Sequence, residues 1–193
     1  MGDAKVRVES VWKIYGNGPE AALDMIEEGA DNDTILSETG QAVGVVDASF
    51  EVREAETVVV MGLSGSGKST LIRCINRLVE PTKGRVFIDD DEITALDEEA
   101  LRMVRRDRLS MVFQNFALFP HMTILDNVAY GLRIQGVEES ERHRRAAQTL
   151  ETVGLKGWED SFPQQMSGGM KQRVGLARAL TTDPDVLLMD EPF

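Results

Sequence analysis

Among 193 residues there is one cysteine, Cys74, and only two histidines, His121 and His143. A single thiol excludes an internal disulfide framework and fits a reducing compartment. Two histidines and one cysteine give no ligand set for a zinc site, and His121 reads as structural. Cys74 falls in an apolar helical pattern, where a buried thiol is expected rather than a reactive one. No apolar run approaches the ~20 residues needed to span a bilayer, and no signal-peptide pattern opens the chain. Any membrane role is therefore expected to come through a partner.

Positive charge is scarce too. The net charge is −12, and only six of the 21 basic residues are lysine. Phosphate-backbone contacts need clustered Lys and Arg, so no nucleic-acid partner is expected. The acid is uneven: residues 1–60 hold 13 Asp/Glu against 4 Lys/Arg, and 61–193 hold 20 against 17. Such a surface suits high salt, where self-repulsion is screened, and equally an ordinary acidic protein. Hydrophobic content of 42% and charged content of 28% are those of a globular chain able to bury a core.

What is present is sharper. Gly62-Leu63-Ser64-Gly65-Ser66-Gly67-Lys68-Ser69 is a complete GxxxxGK[ST] loop. It follows the apolar run Thr57–Met61, which predicts a buried strand. It leads into Ser69–Leu78, where Leu71, Ile72, Ile75 and Leu78 recur at helical spacing. Strand, glycine loop and helix is the context in which backbone N–H groups cradle a triphosphate at a helix N-terminus. Gly62, Ser64, Gly65, Ser66 and Gly67 supply the cradle, with Thr70 beside it. Lys68 reaches the β- and γ-phosphates, and the Ser69 hydroxyl holds Mg²⁺. The sequence thus implies a bound nucleoside triphosphate with Mg²⁺.

Two further constellations agree. Val186-Leu187-Leu188-Met189 predicts a strand ending in Asp190 and Glu191, carboxylates suited to holding Mg²⁺ and to polarising an attacking water. Met166-Ser167-Gly168-Gly169-Met170-Lys171-Gln172-Arg173 opens a helix with apolar Val174, Leu176, Ala177 and Leu180. A capping serine followed by two glycines leaves backbone donors bare, a second surface for phosphate. A plain N-cap would not explain two adjacent glycines, each unfavourable in a helix.

Elsewhere, Lys5–Ser10 predicts a strand closed by Trp12-Lys13-Ile14-Tyr15. Residues 18–40 predict a helical insertion over Ala21–Glu28 and Thr34–Glu38. Strands are expected at Val43–Val52, Arg85–Asp89, Leu109–Phe113 and Asp185–Met189, with a helix from Asp97 to about Arg106. The stretch from Met122 to about Leu180 is expected to be mainly helical, broken by Gly136, by Gly154–Gly157 and around Pro163.

With these motifs in order from Tyr15 to Glu191, the chain resembles the ATP-binding subunit of an ABC transporter. The resemblance implies an α/β fold: a P-loop NTPase core with an antiparallel β portion and an inserted α-helical subdomain. Residues 1–114 would form the nucleotide-binding core with the insertion at about 18–40. Residues from about 115 to 180 would form the helical subdomain, and 181–193 the return to the core. Tyr15 would stack on adenine, with Trp12 as the alternative. Gln114 resembles the glutamine that links the γ-phosphate and Mg²⁺ to the transport channel. The resemblance thus assigns catalysis to Glu191 and Gln114 and Mg²⁺ to Ser69, Gln114 and Asp190. Ser167, Gly168, Gly169 and Gln172 resemble the signature that contacts ATP held by the opposite subunit; Met170 stands where many members have glutamine. A head-to-tail homodimer with two sandwiched ATPs is implied.

The insertion leading into Gly44-Val45-Val46-Asp47-Ala48-Ser49 is similar to the subgroup serving glycine betaine, proline betaine and choline importers. So are Met61–Gly67, Ala117-Leu118-Phe119-Pro120-His121-Met122-Thr123 and Ser167–Leu180. An ATPase energising osmoprotectant import is the expected function, located at the cytoplasmic face of the membrane. Permease subunits would contact about Asn115–Val128, and a periplasmic or extracellular substrate-binding protein would act indirectly. An importer of another substrate such as amino acids remains open. A soluble ABC ATPase or a P-loop kinase fits the charge and the Ser167–Gln172 motif less well.

The chain stops at Phe193, two residues past Glu191. The family continues with a D-loop, further strands and a switch histidine. The sequence therefore reads as C-terminally incomplete, able to bind MgATP and weak in hydrolysis alone. A short nucleotide-binding protein without efficient turnover is the alternative.

Overall fold

A computed structural model describes residues 4–114 and 116–191. Two compact units divide the chain, Met1–Asp97 and Glu98–Phe193.

The first unit is built on one long strand. β1 (Ala4–Tyr15) pairs antiparallel with β2 (Ala42–Arg53) on one side and β3 (Lys83–Ile88) on the other, and β4 (Asp91–Glu92) completes the order β2-β1-β3-β4. The alternation of Val6 and Val8 buries one face of β1, as two-residue periodicity requires. Ser10, at φ 45°, breaks that alternation where the register shifts, so Val11 and Ile14 are buried beyond it. The expected separate strand and aromatic close are thus a single strand.

The insertion forms α1 (Glu20–Glu27) and α2 (Asn32–Thr39). Asp31 caps α2 by accepting a bond from the Thr34 amide at 2.8 Å, and Gly40, at φ 70°, ends it. Ala22, Leu23 and Ile35 pack with Ile14, and Trp12 lies against this cluster. The acidic N-terminal region therefore has its own apolar anchor. α3 (Lys68–Ile75) follows the glycine loop and buries Cys74 and Ile75.

Thr57–Met61 departs from expectation: it forms no strand. Val59 and Met61 are 71% and 85% exposed. A strand needs a partner for its N–H and C=O groups. Among the described residues the run has none, so its apolar composition alone does not make it one.

In the second unit, α4 (Glu98–Asp107) precedes β5 (Leu109–Val112), which pairs in parallel with β6 (Val186–Met189), Leu109 opposite Val186 and Val112 opposite Met189. Between these strands run α5 (Ile124–Ile134), α6 (Glu139–Thr152) and α7 (Gly168–Leu180). Ile124, Val128, Leu150, Leu155, Val174 and Ala177 form their shared core. Each of the larger aliphatic side chains contributes roughly 1.5–3 kcal/mol by leaving water. Thr123 and Ser167 cap α5 and α7 by accepting from the Asp126 and Met170 amides, at 3.1 and 3.3 Å. Gly136 and Gly154, both at positive φ, follow the ends of α5 and α6, where the sequence placed breaks.

Candidate nucleotide site

In the first unit, Gly62–Ser66 is an exposed turn leading through Gly67 into the first turn of α3. Two of its glycines, Gly65 and Gly67, are demanded by geometry. Gly67 caps α3 at φ 87°, and a Cβ there would run into the Gly44 carbonyl oxygen. Gly65 sits at φ 79°, and a Cβ on Gly62 would come within 2.6 Å of Ser66 Oγ. The result is a turn of nearly bare backbone at a helix N-terminus with no acidic residue in its first turn. Unsatisfied N–H groups and the helix dipole there favour an anion.

Lys68 folds back over this turn, its ammonium donating to the Gly62 and Leu63 carbonyls at 2.9 and 2.8 Å. An ammonium has three protons, so one remains for a further acceptor at the same place. Ser69 and Thr70 are partly buried in the first turn. Thr70 Oγ1 lies 3.1 Å from the Tyr15 hydroxyl. The Tyr15 ring crosses Gly44 so closely that a Cβ there would sit 2.9 Å from Cε2, and Lys13 Nζ stands 5.1 Å from the ring. The ring stays 40% exposed beside α3. Trp12 instead leans on the insertion cluster, so Tyr15 is the aromatic gathered with Gly62–Thr70.

In the second unit, the parallel ends of β5 and β6 bring Gln114 and Glu191 together. Gln114 Nε2 donates to Glu191 Oε2 at 2.6 Å, and the Asp190 amide donates to the Val112 carbonyl at 3.0 Å. Asp190 is 1% exposed, whereas Glu191, at φ 47°, is turned outward. One carboxylate is packed at the strand end and its neighbour reaches solvent. One N–H of the Gln114 carboxamide serves Glu191, and its carbonyl oxygen is an acceptor.

Ser167, Gly168 and Gly169 are exposed at the start of α7, with Gln172 half-buried one turn on. A Cβ on Gly168 or Gly169 would meet nothing within 4 Å. Neither has the positive φ that reserves a position for glycine. Their bareness therefore serves no contact among the described residues.

Sequence reasoning passed over the residues that hold segment 116–123. Asn127, fully buried on the apolar face of α5, donates to the Phe119, Met122 and Thr123 carbonyls and accepts from the Phe119 amide. Gln164 donates to the Pro120 carbonyl at 3.0 Å, and Arg178 to the Phe116 and Ala117 carbonyls. The available signal was a polar or charged residue interrupting an apolar helical stripe: Asn127 between Ile124 and Val128, Arg178 between Ala177 and Ala179.

Comparison with known proteins identifies the family. The ABC transporter family model matches residues 45–193. The glycine betaine transport ATP-binding protein OpuAA of Bacillus subtilis is 57% identical over 189 residues, covering 98% of this chain and 45% of that protein. The glycine betaine/proline betaine transport system ATP-binding protein ProV of Escherichia coli is 50% identical, covering 98% and 47%. The chain thus spans about half the length of these curated relatives. Among solved structures, the dimeric post-hydrolysis state of the ATP-binding cassette MJ0796 bound to ADP and Pi superposes with a TM-score of 0.80 at 34% identity, over 97% of this chain and 74% of that one. The motifs, the fold and the relatives converge: the chain belongs to the ABC transporter family and has the fold of its ATP-binding cassettes.

Proposed function

We propose that this chain binds MgATP and, within its natural protein, hydrolyses it to drive import of a small quaternary-amine osmoprotectant of the glycine betaine type. The observation that carries the reading is the bare glycine turn at the N-terminus of α3, closed by Lys68 and flanked by Tyr15. The transported substrate rests on the relatives' names, since no substrate pocket is expected on an ATP-binding subunit.

Adenine would lie on the exposed Tyr15 ring, with the phosphates against the amides of Gly62–Ser69 and Thr70. The Lys68 ammonium would move from the Gly62 and Leu63 carbonyls to the β- and γ-phosphates. Among the described residues no three His, Cys, Asp or Glu side chains cluster as a metal cage. That suits Mg²⁺, which keeps its waters and takes most of its oxygens from the nucleotide. On the resemblance to the ABC family, the Ser69 hydroxyl, the Gln114 carbonyl oxygen and the Asp190 carboxylate would hold it. The ion would supply charge neutralisation on the phosphates. Glu191 is the general base, oriented by Gln114, and accepts a proton from the attacking water.

Bare Gly168 and Gly169 support a head-to-tail homodimer in which Ser167–Gly169 and Gln172 approach ATP held by the other copy. A solved cassette with the same fold, MJ0796, is itself described as a dimer. The groove lined by Phe116, Leu118, Pro120, Pro163, Gln164 and Lys171, about 260 Å³ and of mixed polarity, would be the seat for a permease segment. Three of its six lining residues, Phe116, Leu118 and Pro120, belong to the expected 115–128 contact region, of which Asn115 lies outside the described residues. No helix among the described residues is long and apolar enough to cross a membrane, so attachment to the cytoplasmic face would run through that permease.

The test is ATPase activity of the natural full-length chain with its permease in proteoliposomes, with and without glycine betaine. Betaine-stimulated hydrolysis is expected. Lys68→Ala should weaken ATP binding at least 100-fold, and Glu191→Gln should keep binding while lowering kcat by two orders of magnitude or more, about the 3–4 kcal/mol carried by comparable catalytic groups. Micromolar ATP binding by Lys68→Ala would refute the loop assignment. Binding without hydrolysis by the natural chain would favour a nucleotide-binding protein that does not turn ATP over.

A further inference from the structure

Arg178 is a costly way to hold a loop. It sits in the last turn of α7, where burial pushes its guanidinium below the ordinary arginine range. Among the described residues it meets no carboxylate. Its Nη1 donates to the Ala117 carbonyl at 2.8 Å, its Nη2 to the Phe116 carbonyl at 2.7 Å, and the Phe119 ring lies 5.9 Å from its central carbon. The fixed fork of a guanidinium is matched here to two consecutive carbonyls. Those carbonyls belong to Phe116 and Ala117, at φ 56° and 47°, a conformation that side-chain-bearing residues keep only where their surroundings impose it.

One turn earlier a second observation points the same way. A Cβ built on Gly175 would stand 3.5 Å from Phe116 Cβ, so the segment lies directly on the helix at that point. Glycine is unfavourable in a helix interior, and here it coincides with that approach. Segment 116–123 thus lies against α7 at Gly175 and is gripped by Arg178. Gln114, whose amide donates to Glu191, stands two residues before Phe116 in the chain. The other end of the same helix, roughly 16 Å away, presents Ser167, Gly168 and Gly169.

We infer that Arg178 is a positioning residue that locks the segment behind Gln114 to the signature helix, so that movement of Ser167–Gly169 reaches the Gln114–Glu191 pair. The inference rests on the proposed ATPase reading of that pair. A buried methionine would fill similar volume and pack as well, but it would not read the carbonyls. α7 and the Gln114 loop would then move independently. Displacements near 1 Å at a reacting group cost orders of magnitude in rate while leaving nucleotide binding intact.

The test compares wild type, Arg178→Met and Arg178→Lys in the natural full-length chain assembled with its permease. Steady-state ATPase kinetics and hydrogen exchange of the 116–123 amides are measured together. Arg178→Met should keep the KM for ATP within about twofold and lower kcat about tenfold or more. It should also speed exchange over 116–123 without loosening α5 and α6. Arg178→Lys, which can reach one carbonyl, should recover part of kcat. Unchanged kcat in Arg178→Met, or a loss matching only its unfolded fraction, would overturn the inference. If Arg178→Met does not fold, Arg178→Lys decides by the same readings, wild-type kcat overturning the inference and an intermediate kcat with faster 116–123 exchange upholding it. A wild-type protein without ATPase activity would overturn the proposed function itself; an active wild type matched by Arg178→Met overturns only the role of Arg178.

Discussion

Replacing Asn127 with alanine should cost the helical unit about 3 kcal/mol. The carboxamide is fully buried, accepts one bond from the Phe119 amide at 2.8 Å, and faces the Phe119, Met122 and Thr123 carbonyls at 3.1, 3.2 and 2.9 Å. Two N–H protons serve three carbonyls, so one of those bonds is shared, and the side chain makes about three bonds' worth of contact. At about 1 kcal/mol net per bond, with more for each partner left buried and unpaired, the loss lies at roughly 2–4 kcal/mol. For a unit of this size, Glu98–Phe193, about 3 kcal/mol is a fall of roughly 12–24 °C in Tm. Urea unfolding of a Trp12→Phe background, followed by Trp158 fluorescence, reports on the helical unit alone. Asn127→Asp sharpens the test. Its carboxylate cannot donate to the three carbonyls and would be held protonated, with a pKa raised above the unfolded value. Its penalty should therefore be smallest near pH 4 and grow as pH rises toward 8. A loss below about 1 kcal/mol in Asn127→Ala, or a pH-independent penalty in Asn127→Asp, would refute this account of segment 119–123.

Two further perturbations test other parts of the chain. Gly67→Ala sets a Cβ against the Gly44 carbonyl at φ 87°; it should destabilise the first unit by about 1–3 kcal/mol and remove ATP binding, read by denaturation and nucleotide titration. Burial pushes the Cys74 thiol up to about 11, from an ordinary 9.0. The unfolded chain ionises first, so the thiol's contribution is intact below pH 9 and lost as pH rises toward 11. Cys74→Ala should flatten that alkaline loss, and native Cys74 should resist thiol reagents at pH 8 until the chain unfolds.

The parts legible in the sequence were those where local chemistry decides. The Gly62–Ser69 turn is spelled by its glycines, the start of α7 by Ser167, and β6 by an apolar run before Asp190. The insertion helices fell within a residue or two of their expected bounds because Gly29 and Gly40 punctuate them. What remained hidden depends on partners distant in sequence. Thr57–Met61 has every strand propensity and no strand, since pairing is a property of neighbours rather than of composition. The Gln114–Glu191 bond needs two strands to end side by side, 77 residues apart. Asn127 and Arg178 look like interruptions of apolar stripes until the carbonyls they serve are seen.

The exposed run Val58–Met61, continued by Leu63, has a consequence for solution behaviour. Unpaired apolar backbone is a template for another strand, and so a route to association between copies. The opposing influence is the chain's own charge of −12, which keeps copies apart at long range. Those two forces differ in reach. Repulsion extends about 30 Å in 0.01 M salt and only about 3 Å at 1 M, whereas apolar attraction is strengthened by excluded salts such as sulfate. Ionic strength thus sets whether these residues, handled by themselves, stay dispersed or gather along that sticky edge.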